Sequence, residues 1–159
     1  MGPNGVEVRP ALGEAEVEAA QELRLRVFSG EQGISRNGEI DGLDPASIHI
    51  VAVRRGSVVA TCRLRFGRGQ CKLERMAVDE SLRRTGVGTE LLTEAEREAL
   101  RHGASELVLH SQRQVEDFYE TCGYVAEGDT FLEEGIPHVL MRKRLLNHDR
   151  RSGRDRRGP

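Results

Sequence analysis

Apolar and polar residues alternate along Cys71-Lys72-Leu73-Glu74-Arg75-Met76-Ala77-Val78, the period of a strand with one buried face. From Thr89 to Leu100 the period lengthens, and Leu91, Leu92, Ala95 and Ala99 recur at helical spacing. The same reading predicts a first strand over Val6 to Arg9, ended by Pro10, and a helix from Glu14 to Phe28. That helix is acidic at its start and carries Val17, Ala20, Arg24 and Val27 along one stripe. Ile48 to Val53 and Val58 to Phe66 flank Arg54-Arg55-Gly56-Ser57 as a hairpin, and Gly67-Arg68-Gly69 turns into the Cys71 strand. After the Leu91 helix, His102-Gly103 is a stop and Glu106 to His110 a strand. Val115 to Cys122 is a short helix closed by Gly123. Tyr124 to Glu127 and His138 to Leu145 supply two last strands with a loop between them. The order β-α-βββ-α-β-α-ββ describes a mixed α+β layer, not a doubly wound sheet.

Two segments escape the pattern. Ser29 to Ser47 holds Gly30, Gly33, Gly38, Gly42 and Pro45, and reads as loop or broken helix. It exceeds the ~12–15 residues usual for an unstructured connection, which points to a functional loop. Asn147 to Pro159 carries five arginines against two aspartates and no apolar residue. It is expected to be a disordered basic tail on a single domain spanning residues 1–146.

Composition narrows the classes. A chain of 159 residues suits one core. A net charge of −2 with 31% charged residues of both signs does not indicate a nucleic-acid or membrane partner. No apolar run approaches the ~20 residues that span a bilayer, and Met1 to Gly5 lacks the basic and apolar regions of a signal peptide. The expected compartment is the cytoplasm, and the expected assembly a monomer or homodimer. Cys62, Cys71 and Cys122 share no metal or redox spacing, so they read as small buried hydrophobes, and no metal site is expected.

The Cys71 strand and the Leu91 helix are joined through Arg83-Arg84-Thr85-Gly86-Val87-Gly88. The first N–H groups of a helix lack intrahelical partners and carry the positive end of its dipole. Glycine lets an anion approach that backbone, and arginine adds a charge-assisted contact. The Walker pattern fails for want of a lysine after the second glycine, and Leu91 stands where a dinucleotide fingerprint needs glycine or alanine. The turn alone fits either a phosphate cradle or an ordinary helix start.

Further segments decide between these. Arg83, Gly86 and Gly88 form Arg-x-x-Gly-x-Gly. Gln112 precedes Tyr119 by seven positions, within Phe118-Tyr119-Glu120-Thr121-Cys122-Gly123-Tyr124. Phe131 to His138 with Met141, and upstream Arg26-Val27-Phe28, Glu31-Gln32-Gly33, Glu39, Asp41, Asp44 and His49, complete an ordered set. Over approximately Val6 to Leu145 the chain resembles the GNAT acyltransferases, in particular their ElaA/YjcF-like branch. Arg84 departs from the family's usual glycine, and Gln112 replaces its usual asparagine.

The resemblance implies a mostly antiparallel central sheet flanked by helices and splayed between the fourth and fifth strands. It implies an acetyl-CoA donor, with a small-molecule primary amine attacking the thioester directly. Met76, Ala77 and Val78 would pair through their main chain with the pantetheine arm, and one of their N–H groups would meet the oxyanion. Arg83, Arg84, Thr85, Gly86, Val87, Gly88 and Thr89 would hold the diphosphate, with Gln112 also on the cofactor side. Tyr119 would protonate or stabilise the leaving thiolate, while Phe118 packs as core. Glu74 is the first candidate base, sharing a face with Met76 by alternation; it could equally pair with Arg63 or Arg65. Glu31, Asp41 and His138, the last at a loop-to-strand junction, are the candidate acceptor residues, ahead of His110 and His49. Two other readings stay open: a non-catalytic acyl-CoA sensor and an acyl-homoserine-lactone-like synthase.

Overall fold

The computed structural model describes residues 5–146, so the arginine-rich tail lies outside the described residues. Among them a seven-stranded sheet runs β1-β2-β3-β4-β5-β7-β6, with β1 Glu7–Pro10, β2 Ile48–Arg54, β3 Ser57–Gly67 and β4 Gln70–Val78. Its second half comprises β5 Glu106–Gln112, β6 Val125–Glu133 and β7 Ile136–Arg144. Neighbouring strands are antiparallel except β4 and β5. This is the mixed, mostly antiparallel layer expected.

One face of the sheet is covered by α3 (Val87–Arg101), whose Leu91, Leu92, Ala95 and Ala99 are buried against Ile50, Leu64, Leu73, Leu107 and Met141. The other face receives α1 (Glu14–Arg24), which continues as a π-helical turn over Leu25–Glu31; Leu23 and Val27 pack on Ala77 and Val58. Cys62 and Cys71 lie in the core beneath α3, and burial pushes the Cys71 thiol up to about 12. Cys122 is half-buried, and all three cysteines are free.

The 29–47 loop is partly helical. It holds α2 (Arg36–Glu39) and a 3₁₀ turn at Asp44–Ala46. Buried Arg24 anchors it, reaching Glu39 at 2.5 Å and Asp44 at 2.8 Å. Buried His49 adds a third anchor by donating from Nε2 to the Asp44 carbonyl at 3.0 Å.

The segment between Glu127 and His138, read as a loop, is instead a hairpin. β6 runs on to Glu133, and a two-residue turn at Glu134-Gly135 leads into β7. Both turn residues have positive φ (49° and 73°), the twist that matches a tight antiparallel hairpin. β6 is an edge strand with most residues exposed, so its polar composition hid it from a pattern that looks for a buried face.

Two irregularities in β4 give the middle of the sheet its shape. Its pairing with β5 ends at Leu73↔Leu109, yet β4 continues to Val78, so the sheet is splayed between the fourth and fifth strands. On its other side the register steps from Arg63↔Glu74 to Thr61↔Ala77, leaving Arg75 and Met76 opposite Cys62 alone. This is a β-bulge, with Arg75 at φ 56°. The bulge overturns the expectation that Glu74 and Met76 share a face. Glu74 sits with Arg63 on the α1 side, whereas Met76 turns to the α3 side and packs on the core there.

Candidate active site

The splay opens a cleft of about 450 Å³. Met76 and Tyr119 line its α3 side, and Tyr119 comes from α4 (Glu116–Thr121). Tyr119 is 7% exposed, and its hydroxyl lies 3.5 Å from the Met76 sulfur. Burial pushes its phenol well above the ordinary range, so it stays protonated and able to donate. Phe118 is half-buried beside it, with the rings edge to face at 5.0 Å.

Charged groups dominate the α1 side. Arg63, fully buried, takes Asp41 through both guanidinium ends at 2.8 and 2.9 Å, and reaches Asp44 at 3.1 Å and Glu74 at 2.8 Å. Glu74 also accepts from Arg65 at 2.6 Å and lies 3.3 Å from Lys72. Arg75 bridges Glu39 and Asp41 at 2.9 and 3.3 Å. Burial alone would raise the Glu74 carboxyl, but hydrogen bonds from Arg65 and Arg63 outweigh it and hold it at about 2. Glu74 is therefore a poor proton acceptor at neutral pH. The Arg63 hydrogen bonds likewise hold Asp41 below the ordinary carboxylate range.

The same network sets an acid limit to stability. A carboxyl ordinarily near 4.5 that titrates near 2 in the fold stabilises the protein fully above 4.5. That contribution is lost as pH falls from 4.5 towards 2. Melting temperature measured across this window should fall more steeply for the native chain than for Glu74→Gln, which has no proton to bind there. Parallel curves would contradict the assignment.

Across the cleft stand His110, Gln112 and His138. His138 is the third residue of β7 and opposes Gln112 of β5, so it belongs to the strand itself and not to a loop-to-strand junction. Gln112 donates to Gln32 at 2.8 Å, tying β5 to the turn after α1. His138 is buried, with Nδ1 2.7 Å from the Ile136 carbonyl and Nε2 3.6 Å from Glu133. Glu133 also accepts from His110 Nδ1 at 2.9 Å. Motif spacing did not single out Glu133; its position became readable only with the hairpin.

The Arg/Gly turn follows the unpaired end of β4 after one 3₁₀ turn at Glu80–Leu82. Gly86 precedes α3 in a left-handed conformation (φ 91°), and a side chain there would meet no atom within 4 Å, so the main chain lies open at the helix N-terminus. Arg84 has φ 64°, a conformation suited to the glycine it replaces. Arg83 is exposed yet engaged: it donates to the Val78 carbonyl at 3.0 Å and pairs with Glu31 at 2.7 Å. Glu31 thereby braces the turn and is not among the residues lining the cleft. The Thr85 hydroxyl bonds back to the Leu82 carbonyl. At Gly88 a Cβ would press on the Phe118 ring at 3.3 Å, so a larger residue would have to displace that ring.

Both the sequence and the fold find counterparts among known proteins. The profile of the Acetyltransferase (GNAT) domain matches residues 15–145. The chain belongs to the GNAT acetyltransferases. Among curated relatives, the uncharacterized N-acetyltransferase YjcF of Bacillus subtilis is 38% identical over 134 residues, 84% of this chain and 96% of its own. Among solved structures, Escherichia coli ElaA superposes with TM-score 0.78 at 25% identity, covering 87% of this chain and 99% of that one. An acyl-CoA N-acyltransferase from Pseudomonas aeruginosa gives TM-score 0.77 at 30% identity, with coverage of 87% and 97%. These relatives place this GNAT protein in the ElaA/YjcF-like branch. No helix among its described residues is long and apolar enough to cross a membrane. No group of three or more His, Cys, Asp or Glu among them could hold a metal ion.

Proposed function

We propose that this GNAT protein transfers the acetyl group of acetyl-CoA to a primary amine of a small molecule, by direct attack on the thioester. The observation that carries the reading is the unpaired run of β4. From Glu74 to Val78 the main chain has no β5 partner, and this run leads from the cleft at Met76 to the turn at Gly86. An amide-bearing arm fits such a strand by main-chain pairing, and a diphosphate fits the open N–H groups of α3. The resemblance to the Pseudomonas aeruginosa acyl-CoA N-acyltransferase supports an acyl-CoA donor. The donor supplies the activated acetyl carbon. The chain supplies main-chain N–H groups of Met76 to Val78 for the oxyanion, and the Tyr119 hydroxyl as proton donor to the departing sulfur.

The cradle is tested at Gly86. A valine there must take up φ near 91°, costing about 1 kcal/mol or more, and its side chain fills the open space at the N-cap of α3. Titration calorimetry should show acetyl-CoA binding weakened at least tenfold in a variant that still melts cooperatively. Unchanged affinity would remove the turn from the donor site. Gly88→Val is the poorer test, because it also displaces Phe118.

A further inference from the structure

With Glu74 held by arginines, the attacking amine needs another proton acceptor. The carbonyl of Ile136 can only accept, so the Nδ1 atom 2.7 Å from it carries the proton of the neutral His138 ring. The lone pair is then on Nε2, which faces Glu133 Oε2 at 3.6 Å. Two acceptors confront each other there, and an N–H donor between them would satisfy both. The carboxylate is held in place through its other oxygen by His110 Nδ1 at 2.9 Å. Phe131 completes the arrangement, stacked on His138 with centroids 6.1 Å apart and edge-on to His110 at 5.0 Å. His138, only 6% exposed, borders the same cleft as Tyr119.

We propose that His138 Nε2 and the Glu133 carboxylate bind the acceptor as a primary ammonium, and that His138 is the base that deprotonates it. The proposal rests on the acetyl-transfer reading above and deepens it. An ammonium carries three donors, enough to meet both acceptors. Imidazole ordinarily changes charge around neutral pH, which suits it to accept the proton of a bound amine. The ammonium gives one proton to Nε2, and the freed nitrogen pair attacks the thioester carbonyl carbon. The C–N bond forms and the C–S bond breaks. The thiolate takes the Tyr119 hydroxyl proton, and the phenolate recovers one from the nitrogen of the new amide.

Benzylamine, a cation at pH 7, and aniline, neutral at pH 7, serve as probes. The first measurement is calorimetric binding of benzylamine to the coenzyme A-loaded protein. Glu133→Gln should weaken it at least tenfold, and unchanged binding overturns the ammonium site whether or not the protein turns over either amine. The second compares acetylation rates. In His138→Gln, kcat/KM should fall about 10²–10³-fold for benzylamine and at most threefold for aniline, which needs no deprotonation before attack. Free imidazole should restore part of the benzylamine rate in His138→Ala. Equal losses for both amines, or no rescue, overturn His138 as the base. Absence of acetylation with either amine in the native protein counts against the transfer reading, while the binding measurement still decides the site.

Discussion

Replacing Tyr119 by phenylalanine should lower kcat about 10²–10⁴-fold while leaving KM for acetyl-CoA little changed. The substitution keeps the ring, which packs edge to face on Phe118 and on Tyr124 at 5.0 and 5.9 Å, and removes only the hydroxyl. That hydroxyl has a weak partner, the Met76 sulfur at 3.5 Å, so its loss leaves no strong buried acceptor stranded and folding should be nearly unaffected. The bulge is what brings Met76, and with it the unpaired main chain, to the side of the sheet where Tyr119 stands. Steady-state rates with melting curves separate the possibilities. A variant with native kcat would make Tyr119 a packing residue and leave the thiolate to be protonated by solvent.

Arg63→Met should destabilise the protein by about 3–5 kcal/mol, the usual cost of removing one partner from a buried charge cluster. Arg63 is fully buried and binds Asp41, Asp44 and Glu74 together. Methionine fills much of the volume but leaves the carboxylates with less opposing charge. For a chain of this size, melting temperature should fall by roughly 10 °C or more. Losses should extend to acceptor binding, because Arg63 holds both Asp41 and Asp44 of the 29–47 segment to the sheet. A fall of only a few degrees would mean that Arg24, Arg75 and His49 suffice to hold the loop.

The alternating and helical patterns located the strands up to β5 and the helices α1, α3 and α4 to within a few residues, since each buries one face. β6 buries little, and its Gly128, Asp129 and Glu133, with Glu134 just beyond, read as loop until the hairpin turn is seen. The splay was legible only through family resemblance, because no local residue pattern reports where two strands part. The bulge was not legible at all: alternation assumes one residue per step, and Arg75 breaks that count in a conformation a non-glycine residue rarely adopts. That single step moved Met76 to the opposite face from Glu74. Charge partners posed the same difficulty. The pairing of Glu74 with Arg63 and Arg65 was one of its two readings, but Glu31 and Asp41 read as acceptor residues, whereas Arg83 and Arg63 already occupy them. Pairings across 22 or 52 positions depend on the completed sheet.

The Arg75 bulge also divides labour between two sides of one strand. If Tyr119 serves the leaving thiolate, sulfur chemistry falls to α4 and the core beneath α3, where side chains are close-packed. On the proposed reading, acceptor recognition falls to the opposite side, built from the 29–47 segment and the β6–β7 turn. On that reading, a new acceptor specificity requires changes only in these two segments, while the side of the strand that faces the leaving group stays as it is.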